Sequence, residues 1–136
     1  MHVLLVDDDR DDRFLFKDAL AKTGLPIFFQ DAEDCYQALD ILQQMKEETP
    51  DIVFIDINMP DIDGFECLKR IKAKEAWKDI PIIIYSTSNN QLHIDEAGRL
   101  GAAAYIRKPN DFWELCAKLK QILSSNFNDL TNQIYI

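Results

Sequence analysis

Short apolar runs alternate with amphipathic segments along the chain. Val3-Leu4-Leu5-Val6 is a continuous apolar run that ends abruptly in acid. A run of this kind is typical of a strand buried on both faces of a sheet. Further apolar runs predict strands at residues 27–32, 52–57, 82–86 and 103–107.

Between these runs, apolar residues recur every three or four positions, which predicts helices. The recurrence is clear from Tyr36 to Met45 and again from Phe112 to Leu123. The predicted helices cover residues 7–22, 34–47, 65–74, a weaker segment between 91 and 101, and 112–123.

The order is a strand followed by a helix, repeated five times. This alternation predicts an α/β fold, in which a parallel sheet is covered by helices on both faces. Each connection should be a right-handed crossover. Residues 1–124 are predicted to form one domain. Residues 125–136 are rich in Asn and Ser, and we expect them to be a loose tail with no output domain.

Composition narrows the functional classes. The 136 residues are 47% hydrophobic and 29% charged, a balance that supports a globular core without a structural metal. The net charge of −9 argues against binding to nucleic acid or to anionic lipid. We find no signal peptide and no apolar run long enough to span a membrane.

The three cysteines, Cys35, Cys67 and Cys116, are odd in number and widely spaced among apolar neighbours. This pattern predicts small buried thiols rather than a disulfide or zinc framework. A reducing, cytoplasmic compartment is therefore expected.

The residues that follow the strands carry the candidate chemistry, because ligands of an open parallel sheet bind beyond the carboxyl ends of its strands. Carboxylates placed together either take up protons or hold a cation, and oxygen ligands suit Mg²⁺. A lysine and a hydroxyl suit the oxygens of a phosphoryl group. The polar residues at these strand ends are Asp7, Asp8, Asp56, Asn58, Ser86, Thr87 and Lys108.

Asp56 is the best candidate nucleophile, since it follows four apolar residues on the central strand. Each feature also has a simpler interpretation. The acids at 7–9 could be no more than a helix cap and first-turn acids, and Lys108 could be a solvated side chain. Their coincidence at four strand ends favours a functional site.

Four motifs occur in the order and on the elements expected for the receiver domain of two-component response regulators, which the sequence resembles over residues 2–124. They are Leu5-Val6-Asp7-Asp8, the segment from Asp56 to Gly64, Ser86-Thr87 and Lys108-Pro109. The resemblance implies a flavodoxin-like (βα)5 three-layer sandwich with a five-stranded parallel sheet in the order 2-1-3-4-5.

The resemblance implies that Asp56 accepts a phosphoryl group from a phosphohistidine on a sensor histidine kinase or a histidine phosphotransfer protein. Asp8 and Asp56 would bind Mg²⁺ directly, with Asp7 acting largely through water and Asn58 contributing its backbone carbonyl. Lys108 would pair with a phosphoryl oxygen, and its bond to the following proline is expected to be cis.

The resemblance also identifies Ser86 and Tyr105 as a switch pair. After phosphorylation the Ser86 hydroxyl would move toward the phosphoryl group, and Tyr105 would turn inward. Thr87 stands where the family most often has a small residue, so it could restrict access to the acyl phosphate. Ser88 and Asn58 match positions that tune the lifetime of the phosphorylated state.

Asp9, Asp11 and Asp12 extend the acidic run. They are interpreted as a solvated helix start, with a kinase-facing or cation-binding surface as the alternative.

The chain looks like a stand-alone receiver, similar to those paired with phytochrome-type and other hybrid histidine kinases. A homodimer through the fourth helix, fifth strand and fifth helix is plausible, with Trp113 at its surface, although Phe112 or Trp113 could instead be core. No enzymatic activity is expected beyond phosphorylation and dephosphorylation of the protein itself. The alternatives are a non-phosphorylated interaction module and a Mg²⁺-dependent aspartyl-phosphate phosphohydrolase, a class that usually has an acid where this chain has Asn58.

Overall fold

A computed structural model describes residues 1–124 and the backbone of residues 134–135. Within this part of the chain, strands and helices alternate as predicted, with boundaries shifted by a few residues. The strands are β1 (His2–Val6), β2 (Phe28–Ala32), β3 (Ile52–Ile55), β4 (Ile82–Ser86), β5 (Ala104–Arg107) and β6 (Ile134–Tyr135). The helices are α1 (Arg10–Lys22), α2 (Cys35–Met45), α3 (Gly64–Lys72), α4 (Gln91–Arg99) and α5 (Phe112–Ser124).

The sheet is parallel and has the order β2-β1-β3-β4-β5-β6. The first five strands confirm the predicted 2-1-3-4-5 order. The chain passes from β1 outward to β2 and then returns to β3 on the other side of β1. As a result β1 and β3 are neighbours, and Val6 is in register with Ile55. The residues that follow these two strands therefore emerge side by side.

Among the described residues the sheet has six strands, one more than the five predicted. Ile134–Tyr135 pairs in parallel with β5, with Ala104 in register with Ile134 and Tyr105 in register with Tyr135. This pairing corrects the expectation of a loose tail for residues 134–135. The rest of the predicted tail lies outside the described residues.

Alternate residues of each inner strand point into two separate cores, which explains the uninterrupted apolar runs. Leu4 and Val6 face the side covered by α2, α3 and α4. Val3 and Leu5 face the side covered by α1 and α5. The result is the expected three-layer sandwich. No helix in the described ranges has the length and apolar character needed to cross a membrane.

Short polar side chains cap the amino ends of four helices. The side chain of Asp9 accepts hydrogen bonds from the backbone N–H groups of Asp11 and Asp12 at the start of α1. Asp34, Asp63 and Asn90 cap α2, α3 and α4 in the same way, a role these residue types favour. The prediction that an early aspartate caps the first helix is confirmed.

The two aromatic residues at the start of α5 differ in burial. Phe112 packs against the core beneath α1 and α5, whereas Trp113 is 66% exposed.

The prediction of three unpaired thiols is wrong for two of the cysteines. Cys35, the first residue of α2, forms a disulfide with Cys67 of α3, and their Cα atoms are 5.7 Å apart. Both residues are buried in one core although 32 positions separate them, so their spacing along the chain gave no sign of the bond. Cys116 is free. The expectation of a reducing compartment rested on unpaired thiols, so the disulfide removes the support for it.

Thiol counting tests the disulfide. Under denaturing conditions without reductant, a maleimide should label Cys116 alone, and after reduction it should label all three cysteines. Reduction should lower the free energy of unfolding by about 3–4 kcal/mol, because the bond closes a loop of moderate length. Cys116→Ser is the matched control and should give no label without reductant and two labels after reduction. Three labelled thiols without reductant would contradict the bond.

Candidate functional site

Three carboxylates meet at the carboxyl edge of the sheet. Asp7 and Asp8 follow β1, and Asp56 follows the adjacent β3. Oxygen atoms of the three side chains all lie within 4.8 Å of one another. Asp7 and Asp56 are buried, and Asp8 is exposed to solvent. An oxygen-only ligand set that is open to water on one side fits a hard divalent cation that keeps part of its hydration shell.

Lys108 reaches into this group from the loop after β5. Its Nζ lies 2.7 Å from Oδ2 of Asp7, 2.8 Å from Oδ2 of Asp12 and 3.6 Å from Oδ2 of Asp56. The first two distances are short charge-assisted hydrogen bonds, whereas the third is longer than a hydrogen bond. The ammonium group also stands 5.2 Å from the centre of the Tyr85 ring. One lysine thus balances several acids.

Burial and mutual repulsion raise the proton affinity of the acids. Burial raises the pKa of Asp56 to about 6, with Asp7 and Asp8 adding to the rise and Lys108 and the Asn58 N–H opposing it. Burial likewise raises the pKa of Asp7, against the opposing effect of Lys108. Burial acts to lower the pKa of Lys108, but its bonds to Asp12 and Asp7 outweigh this and the pKa lies above its usual range. A bound cation would relieve the repulsion among the acids.

The loop after Asp56 is held by its backbone. The Gly64 N–H donates a 2.9 Å hydrogen bond to the carbonyl of Ile57. A Cβ atom at position 64 would overlap the backbone carbonyl of Asp56, so only glycine fits this close approach. Met59 and Ile62 are buried and anchor the loop to the core. The sequence identified this segment as a turn but did not show that Gly64 supports Asp56.

A hydrogen-bond network links the loop after β4 to its neighbours. Ser86 is buried, and its Oγ accepts a 3.2 Å bond from the Ser88 N–H. The Ser88 carbonyl accepts a 2.7 Å bond from the Tyr105 hydroxyl, and Ser88 Oγ lies 2.7 Å from Nδ1 of His93 on α4. Ser88 therefore connects the predicted switch serine to β5 and α4. Thr87 is exposed beside it.

Tyr105 already occupies an inward position in this structure, with 1% of its surface exposed. The sequence-based hypothesis places the ring inward only after phosphorylation. The arrangement observed is the inward one, so the outward position stays a prediction.

Two expectations about the site need correction. The sequence predicts that Asp12 is part of a solvated helix start, yet it is ion-paired with Lys108. The peptide bond between Lys108 and Pro109 is trans rather than cis, as no cis bond occurs in the part of the chain described. Asp9 is the helix cap, and Asp11 is exposed as expected. Asn58 is exposed two residues after Asp56.

Comparison with known proteins points in one direction. The sequence model of one protein family, the response regulator receiver domain, matches residues 3–120. The sporulation initiation phosphotransferase F of Bacillus subtilis is 34% identical over 126 residues, which cover 93% of this chain and 96% of that protein.

Two solved structures are similar as well. The phosphorylated cyanobacterial phytochrome response regulator RcpA has a TM-score of 0.80 and 31% identity, with 89% of each chain covered. The Mn²⁺-bound form of response regulator Rcp1 has a TM-score of 0.80 and 26% identity, covering 96% of this chain and 97% of that one.

Replacing Asp56 by Asn should stabilise the protein at neutral pH. The pKa of Asp56 is about 6 in the folded protein and 3.8 ordinarily, so between these values the folded state holds a proton that the unfolded chain has released. Stability should therefore fall as the pH rises through this window, with the full penalty present above pH 6. We expect Asp56→Asn to gain about 2–3 kcal/mol at pH 7 and almost nothing at pH 4.

Urea unfolding at both pH values, in the presence of a chelator, measures this difference. Asp61→Asn changes an exposed acid of the same loop and is the matched control. It should leave the free energy of unfolding within about 0.5 kcal/mol of the wild-type value. An equal gain at both pH values would contradict the electrostatic explanation.

Proposed function

This chain belongs to the family of response regulator receiver domains, and on that premise we propose that Asp56 is the residue that accepts the phosphoryl group. The observation that carries the proposal is the placement of Asp56. Its carboxylate is buried beside Asp7 and Asp8 and faces the ammonium group of Lys108 without being hydrogen-bonded to it. It is therefore held in place while one oxygen stays available for attack.

The transfer is a displacement at phosphorus. A carboxylate oxygen of Asp56 forms the new P–O bond, and the P–N bond of a phosphohistidine breaks and leaves its electron pair on the imidazole ring. Lys108 offsets the negative charge of the phosphoryl oxygens. The donor in this proposal is a sensor histidine kinase or a histidine phosphotransfer protein. A relative named as a phosphotransferase supports that class of partner.

The acids have the composition expected of a Mg²⁺ site. Asp8 and Asp56 would bind the ion directly, Asp7 largely through water, and Asn58 through its backbone carbonyl. The clustered oxygens and a Mn²⁺-bound similar structure support a divalent cation here. When bound, Mg²⁺ supplies positive charge for the phosphoryl oxygens.

The response to phosphorylation begins at Ser86. Its hydroxyl would turn toward a phosphoryl oxygen and give up the bond it accepts from the Ser88 N–H. Ser88 also bonds to Tyr105 and His93, so loosening it would release β5 and α4 together. Thr87 would limit access to the acyl phosphate from its exposed position.

Ser88 and Asn58 would tune how long the phosphorylated state lasts. Asn58 is exposed near Asp56, and Ser88 bonds to several parts of the switch network. Their roles in lifetime follow from the resemblance to the family.

The protein is proposed to signal through its conformation, with no catalytic activity on other molecules. A phosphohydrolase of the aspartyl-phosphate class usually has a second acid two residues after its nucleophile, and Asn58 occupies that position here. A homodimer through α4, β5 and α5 stays a prediction. Because β6 pairs with the outer edge of β5, such a dimer would form through side chains of these elements rather than by joining strands. A cytoplasmic location also stays a prediction.

Intact-mass spectrometry after incubation with acetyl phosphate tests the phosphoacceptor. We expect one added phosphoryl group on the wild-type protein with Mg²⁺ and none with a chelator. Asp56→Asn should give no adduct, because it lacks the nucleophilic oxygen. Asp61→Asn keeps Asp56 and should be labelled like the wild type.

The variant Thr87→Ala distinguishes a site that the small donor cannot reach from a site that cannot be phosphorylated. An adduct that appears only in this variant would show that the side chain of Thr87 excludes the small donor. A folded protein that is labelled in neither form, or labelled equally in Asp56→Asn, would contradict the proposal and favour an interaction module.

A further inference from the structure

Asp12 is an acid that the proposed transfer does not use. It lies in the first turn of α1, and its backbone N–H is held by the capping carboxylate of Asp9. Its side chain is 34% exposed, and its Oδ2 bonds to Nζ of Lys108 at 2.8 Å. Asp12 does not belong to the group of carboxylates that could share a metal ion.

The bonds of Lys108 show what Asp12 does to the lysine. An ammonium group has three N–H donors, and here two of them are given to Asp7 and Asp12. Oδ2 of Asp56 lies 3.6 Å from the same Nζ, beyond hydrogen-bond distance. Lys108 is thus hydrogen-bonded to Asp7 and Asp12 and not to the proposed nucleophile.

The backbone holds this arrangement in place. The Lys108 N–H donates a 2.7 Å bond to the carbonyl of Ser86, which keeps the base of the lysine at the end of β4. Asp12 is fixed through the Asp9 cap. Since both ends of the ion pair start from ordered backbone, the pair forms at little conformational cost.

We propose that Asp12 is a positioning residue that competes with the phosphoryl group for Lys108 and thereby limits how readily Asp56 is phosphorylated. The inference rests on the proposed function. A phosphoryl group on Asp56 needs the lysine's charge, and the ion pair with Asp12 already neutralises part of that charge. Removing the charge of Asp12 frees Lys108 to move toward Asp56.

Binding of beryllofluoride, a stable mimic of the phosphoryl group, measures this competition without turnover. With Mg²⁺ present, we expect Asp12→Asn to bind beryllofluoride about tenfold more tightly than the wild type, a change equivalent to about 1.4 kcal/mol. Asp12→Glu retains the charge and should stay close to wild type. Asp11→Asn removes an exposed acid from the same helical turn and is the matched control.

A double-mutant cycle shows whether Asp12 acts through the lysine. In a Lys108→Met background, Asp12→Asn should no longer tighten binding. In ¹⁹F spectra of the bound mimic, the fluorine nearest Lys108 should shift in Asp12→Asn and not in Asp11→Asn. Thermal unfolding of each variant identifies any loss that comes from the fold.

Two groups of results would contradict the proposals, and they can be told apart. Unchanged or weaker binding in Asp12→Asn, or the same gain with and without Lys108, would overturn the positioning role. A wild-type protein that fails to bind beryllofluoride, or an Asp56→Asn variant that binds it equally well, would instead overturn the proposed function.

Discussion

The burial of two carboxylates beside one ammonium group is the constraint on which this structure depends. Asp7 and Asp56 are brought together because β1 and β3 are neighbours in register, and the backbone N–H groups of both acids are bonded to adjacent strands. Their repulsion opposes folding, and the two apolar cores offset it. The site is therefore a region of high energy that the rest of the fold stabilises, which is a common property of functional sites.

The same constraint explains the order around the site. The loop after Asp56 cannot relax outward, because Gly64 packs directly against the backbone of Asp56. Lys108 is tied at its base to the end of β4. The backbone around Asp56 and the base of Lys108 are thus fixed before a cation or a phosphoryl group arrives, and the side chain of Lys108 is the part that has to rearrange.

The fold was predictable from the sequence because both faces of each inner strand are buried, which leaves a continuous apolar run for each of them. The main site residues followed from the rule that the ends of parallel strands share one edge. Asp12 could not be assigned, because its contact with Lys108 depends on the direction in which α1 leaves the sheet. The bond between Cys35 and Cys67 depends in the same way on how two helices pack. The residues of β6 carry too short an apolar signal to predict a strand.

The disulfide makes the three helices on one face of the sheet mechanically unequal. It joins α2 to α3 covalently, and α3 also buries four of its residues, namely Gly64, Cys67, Leu68 and Ile71. Next to them α4 buries only Ala97 and is tied to the β4 loop mainly through the bond between Ser88 and His93. Local opening is easiest where the least apolar surface is buried. We therefore expect a displacement that starts at Ser86 to pass more readily into α4 than into the disulfide-linked pair α2 and α3.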